Sequence, residues 1–255
     1  MKLGRLLADL RAKLTGSTPA QAQSVDPGEA ALQRVIAERH KTDPLAGVKI
    51  GSEVIAARLM AFFKTERGVH VESYLVCLGA LAGYACQVSM RETAKGATLV
   101  VAQGKDGKTY FFGDVLNTPL AESPLSLWSL IGGILQTLGK PLPDLGELFT
   151  YVTSTVGGGQ FGIPRMPEDK SPGDLPINYL KVMGPPLYPV AKRFCDEPPH
   201  LPLLFGLTIQ TLLVQAKDVI DPTLAARIVM ETAIAMSKVD LPGTVEPGGW
   251  RHASP

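Results

Sequence analysis

Residues 68–92 read GVHVESYLVCLGALAGYACQVSMRE. Polar groups stand at the two ends and the middle is apolar nearly all round. A helix of that kind is either the centre of a globular core or a membrane span, and the choice decides the class of the whole chain. The run from Ser73 to Met90 barely reaches spanning length, and Gln87 with two serines weakens it. The next apolar run, His200 to Gln215, is shorter still, and no clear basic asymmetry marks the loops. The stretch therefore reads as the central helix of a soluble core. At 100° per residue, Gly79, Ala82, Gly83 and Cys86 share one face, while Cys77, Leu81, Tyr84 and Val88 share the opposite one. The small face admits another helix at close range and the bulky face fills space. The expectation is a strut with two different neighbours, one of them a helix over Pro202–Lys217.

The bulk properties agree with a globular core. The chain has 255 residues, 45% of them hydrophobic, enough for one large domain or two small ones. Its 25 basic and 24 acidic residues nearly cancel, so charge gives no reason to expect nucleic acid as a partner. Only 19% of residues are charged, and a weakly charged surface favours self-association. Cys77, Cys86 and Cys195 form no disulfide framework. The first two sit on opposite helix faces. Free cysteines in apolar surroundings fit a reducing, cytoplasmic setting.

Outward from the strut, the pattern predicts a mainly α fold with one β-hairpin at about 97–113. Three organisational segments are expected. Residues 1–25 read as an amphipathic helix and linker, 26–241 as a helical domain, and 242–255 as a loose tail. Leu3, Leu6, Leu7, Leu10 and Leu14 form a leucine stripe with basic residues around it. This stripe suits docking on the chain itself, a partner groove, a membrane surface or an organelle import receptor. Asp26-Pro27, Asp43-Pro44 and Asp221-Pro222 each propose an Asp N-cap and a Pro at the first helical position. One helix should end near His40, with Leu32, Val35 and Ile36 inward, and the next should run from Ser52 to Glu66, stopped by Gly68. Ala97–Gln103 and Thr109–Gly113 flank an Asp106-Gly107 turn. A two-residue turn would set Val101 across from Phe112 and Ala102 from Phe111. Helices are expected over 125–138 and 145–155, the latter against a β-prone composition. Ten prolines between Pro164 and Pro202 predict short elements there, at most about two helical turns each. Helices over 202–217 and 222–238 close the domain.

No motif for catalysis emerges. GGGQFG at 157–162 matches a glycine fingerprint, but prolines replace the helix that would hold a pyrophosphate. It reads as a loop whose amides and Arg165 are at most an anion site. His70-Val71-Glu72 matches half of a zinc deaminase signature and lacks the second half. Glu72 then reads as a first-turn acid that suits the helix dipole. Glu197 and His200 have a metal-ligand spacing with two prolines between them. No serine elbow is present. Neither a metal nor a cofactor is expected. The remaining polar groups are His70, Glu72, Arg91, Tyr110 and Asp114, the candidates for a pocket beside the hairpin. Three readings follow. The first is a non-catalytic protein working through self-association, as a homo-oligomer, or through a protein partner. The second is an enzyme or ligand binder using that pocket. The third is a peripheral membrane protein held by residues 2–14.

Overall fold

The structure, a computed structural model, describes residues 27–93, 99–244 and 250. The leucine stripe, its linker and Asp26 lie outside the described residues, as does most of the tail. The fold is mainly α. Helices α1 (Pro27–His40) and α2 (Ala46–Phe63) lead through a two-residue ribbon, β1 (Lys64–Thr65) with β2 (Gly68–Val69), to the strut α3 (Val71–Thr93). The hairpin β3 (Val100–Gln103) and β4 (Thr109–Phe112) follows, then a 3-10 turn and a short π-helical turn. Helices α4 (Leu127–Thr137), α5 (Leu145–Thr155), α6 (Pro176–Lys192), α7 (His200–Ala216) and α8 (Pro222–Met236) complete the described chain.

The strut is the core. It is the one described helix long and apolar enough to cross a membrane, and 94% of its apolar window is buried by the chain itself. Its two faces take different partners, as the wheel implies. The small face meets α8: a Cβ at Gly79 would stand 2.7 Å from the Val229 carbonyl oxygen, and Gly83 lies against Ala233. Glycine lets the two backbones touch there, because any larger group would hold them apart. The bulky face meets α6, where the Tyr188 hydroxyl donates to the Leu81 carbonyl at 2.6 Å and the Tyr84 and Tyr188 rings pack 6.0 Å apart. Helix α7 also packs on the strut.

Several local expectations need correction. Asp43-Pro44 does not open α2. Asp43 accepts from the Leu45 N–H at 3.1 Å and forms a turn before the helix begins at Ala46. That helix ends at Phe63, and Gly68 serves the β1–β2 turn with a φ of 101°. Asp221 does cap its helix, accepting from the Leu224 N–H at 3.0 Å. Val35 faces solvent, while Ile36 is fully buried. The hairpin is one residue out of the expected register: Val101 pairs with Phe111 and Ala102 with Tyr110. The cause is a three-residue loop rather than a two-residue turn. Gly107 at φ 75° closes a turn whose N–H returns to Gly104, the arrangement of a type I turn followed by a bulge glycine.

The largest departure is α6. Seventeen residues form one helix that contains Pro185, Pro186 and Pro189. Each proline removes one backbone donor, but none belongs to the buried face. Tyr179, Leu180, Met183, Gly184, Leu187, Tyr188 and Ala191 repeat at helical spacing and bury, while Pro185 and Pro189 stay exposed. Burial of that stripe outweighs the missing bonds.

Candidate functional site

The five sequence-predicted pocket residues do not gather. His70 and Glu72 stand at the start of the strut, whereas Arg91 stands at its end, about 30 Å away at 1.5 Å per residue. Each is engaged locally. The His70 imidazole nitrogen Nδ1 accepts from the Ser73 N–H at 3.3 Å and so caps α3. Its hydroxyl neighbour, Ser73 Oγ, lies 2.8 Å from the same nitrogen and accepts from the Gly173 N–H at 2.8 Å. Glu72 accepts from Lys170 Nζ at 2.9 Å. Partial burial is the largest single influence and pushes the Glu72 carboxyl up, but the Lys170 hydrogen bond and charge, a backbone hydrogen bond and His70 together leave the group below its ordinary value.

At the other end Arg91 covers the Phe111 ring at 5.3 Å. Tyr110 is buried, donates to Asp106 at 2.9 Å and meets Phe161 edge to face at 4.9 Å. That contact places the glycine-rich segment 157–162 against the hairpin. Asp114 is exposed in the 3-10 turn. Tyr110 and Arg91 thus share the hairpin region, and Asp114 follows it in sequence, while two surface clefts lie elsewhere. One is lined by α5, α8 and Arg165, another by α1 and α2.

Two charged clusters escape the sequence reading because their members are far apart in the chain. Glu231 of α8 is buried, and both its oxygens are used. Oε2 accepts from the Arg165 backbone N–H at 2.6 Å and Oε1 from the guanidinium Nε at 2.7 Å. Arg165 also pairs with Glu147 and covers the Tyr151 ring at 4.6 Å. The guanidinium considered from the sequence as an anion site is therefore committed to carboxylates. Burial raises the Glu231 carboxyl above its ordinary value despite the arginine. In the second cluster, Trp250 donates to Glu92 at 2.7 Å, and the buried Lys192 ammonium stands 4.4 Å from the indole ring and 3.3 Å from Glu92. This part of the tail is docked. Glu197 and His200 do approach, at 3.3 Å, with His200 opening α7. Among the described residues no three histidine, cysteine or acidic groups gather to hold a metal.

The hairpin itself carries an asymmetric edge. Strand β4 is bonded on both sides. It pairs with β3, and the Phe111 N–H donates to the Lys238 carbonyl at 2.8 Å, making a bridge between Tyr110 and Val239. Because Phe111 points its N–H at Lys238, Val101 opposite it is in a non-hydrogen-bonded pair. The N–H and C=O of Val101, and by the same alternation those of Leu99 and Gln103, face away from β4. Val100 and Val101 are 53% and 60% exposed. Two cations cover the aromatic neighbours, Arg91 over Phe111 and Lys238 over Phe112 at 5.2 Å. Burial lowers the Lys238 amine below its ordinary value.

No protein-family model, no curated protein and no solved structure matches this chain.

Proposed function

We propose that the chain is a non-catalytic protein that works through contact with another polypeptide, and that β3 is the contact. The observation that carries this reading is the outer edge of β3, which pairs with no strand among the described residues and shows two exposed valines. Soluble proteins usually blunt such an edge with charge, proline or a covering element. The stretch Leu99–Gln103 has neither charge nor proline. The inward economy of the polar groups supports the same reading. Glu72, Arg91, Tyr110 and Arg165 each serve an internal partner. The three cysteines are free and buried, which suits the cytoplasm as the place of action.

In-cell cross-linking with an amine-reactive bifunctional reagent tests the reading. Lys105 and Lys108 stand at the hairpin tip and should yield links to a second polypeptide. A chain that gives intramolecular links alone overturns the proposal.

A further inference from the structure

Granted that reading, the identity of the partner follows from the strand. We propose that β3 of one copy pairs antiparallel with β3 of a second copy, about a two-fold axis through Val101. The outward backbone groups alternate in the way this axis requires. Val101 faces Val101 of the partner copy as a hydrogen-bonded pair, and Leu99 faces Gln103 in both directions. Three such pairs give about six backbone hydrogen bonds.

The side chains agree with the register. On one face Phe111, Val101 and their symmetry mates form a continuous apolar ridge across four strands. On the other, Val100 of each copy meets Ala102 of its mate. Nothing in Leu99–Gln103 repels a copy of itself, since the strand is uncharged and like charges are the usual cost of a self-paired strand. The two Arg91 groups sit over phenylalanines three strand spacings apart, about 14 Å at ~4.8 Å per spacing. That exceeds the screening length in physiological salt. The whole chain carries a formal charge of only +1, so two copies meet without long-range repulsion. The product is a four-stranded sheet flanked on each side by the Lys238–Val239 segment, which leaves no long apolar edge. An isologous contact of this kind closes as a dimer.

Two variants of the full chain test it. Val101→Cys brings two thiols together at a Cα separation of about 5.5 Å, inside the disulfide range. The native cysteines are all buried and do not compete. Under mild oxidation Val101→Cys should run as a covalent dimer, and Val219→Cys, more exposed still but on the turn between α7 and α8, should not. Val101→Lys should weaken the dimer at least about tenfold by light scattering while keeping the thermal midpoint of wild type diluted to monomer, because the side chain is on the surface and only the dimer contact, which stabilises the folded state, is lost. A wild-type dimer that Val101→Lys leaves intact and Val101→Cys does not trap overturns this pairing while leaving contact with a polypeptide standing. A wild-type chain that stays monomeric through high micromolar concentration also overturns the pairing. The in-cell cross-links to a different protein then decide the broader reading separately.

Discussion

Gly83 of α3 lies directly against Ala233 of α8, so that a Cβ at position 83 would overlap the Ala233 carbonyl oxygen and Cα. Both obstructing atoms are backbone, and neither can swing aside as a side-chain tip would. Gly83→Ala is expected to cost about 3 kcal/mol or more, the upper end for overpacking, and Gly83→Leu should fail to fold. Gly133 supplies the control. It sits in the interior of α4, where an added methyl would meet nothing within 4 Å, so Gly133→Ala should stabilise by about 0.5–1 kcal/mol. Urea titrations measure both. A Gly83→Ala chain of wild-type stability would mean that α3 and α8 do not touch in solution.

The strut and its two faces were legible because one helix buried on all sides leaves its full pattern in a local stretch of sequence. Helix α6 was not legible, since Pro185, Pro186 and Pro189 dominate local propensity while the stripe of Tyr179, Met183 and Leu187 is buried only in the tertiary structure, against α3 and the helices around it. The hairpin register failed by one residue for a smaller reason. Asp106-Gly107 suits both a two-residue turn and a three-residue loop, since Gly107 takes a positive φ in either; the bonds from the Gly107 N–H to Gly104 and from the Gly104 N–H to Lys108 select the loop. The Glu231–Arg165 pair joins residues 66 positions apart, and nothing in a single sequence couples them. His70 and Glu72 stand apart from Arg91 because a helix as long as α3 separates its two ends.

Glu231 gives a test with a sign. Glu231→Ala strands the Arg165 guanidinium and its backbone N–H, and removal of one partner from a buried pair costs about 3–5 kcal/mol. Arg165 is about one third exposed, so the lower end, about 3 kcal/mol, is expected. Glu147 is mostly exposed, and Glu147→Ala should cost less than about 1 kcal/mol. The pH dependence is separate. The folded-state pKa of Glu231 is raised above the unfolded value of 4.5, chiefly by burial. This group's contribution is therefore complete below pH 4.5 and is lost as pH rises through the folded pKa. Stability of the wild type relative to Glu231→Gln should rise as the solution is acidified. A relative fall on acidification would place the folded carboxyl below its ordinary value.

Tyr110 sets an alkaline counterpart. Burial first, and its hydrogen bond to Asp106 second, push the phenol from 10.0 up to about 12. A raised folded pKa means that the contribution is intact below pH 10 and declines between 10 and about 12. Ultraviolet titration of phenolate absorbance should show the Tyr110 signal, identified by its loss in Tyr110→Phe, ionising well after a free tyrosine. Ionisation of that signal at the ordinary value would show the ring to be solvated and the hairpin undocked from Phe161.

Trp250 is the last contact of the described chain, and it tests whether the tail is part of the fold. Its indole N–H donates to Glu92 and its ring faces the Lys192 ammonium. Trp250→Ala removes a hydrogen bond to a charged acceptor, worth about 1.5–3 kcal/mol, and a cation–ring contact worth about 0.5–2 kcal/mol. These terms are coupled through Glu92 and Lys192, so the expected loss is about 2 kcal/mol rather than their sum. Trp250→Phe keeps a ring over Lys192 while deleting the donor, and it should fall between the two. Chemical denaturation of the three chains measures the series. Identical midpoints would mean that the indole is free in solution, and the tail would then return to the loose segment that its composition suggests.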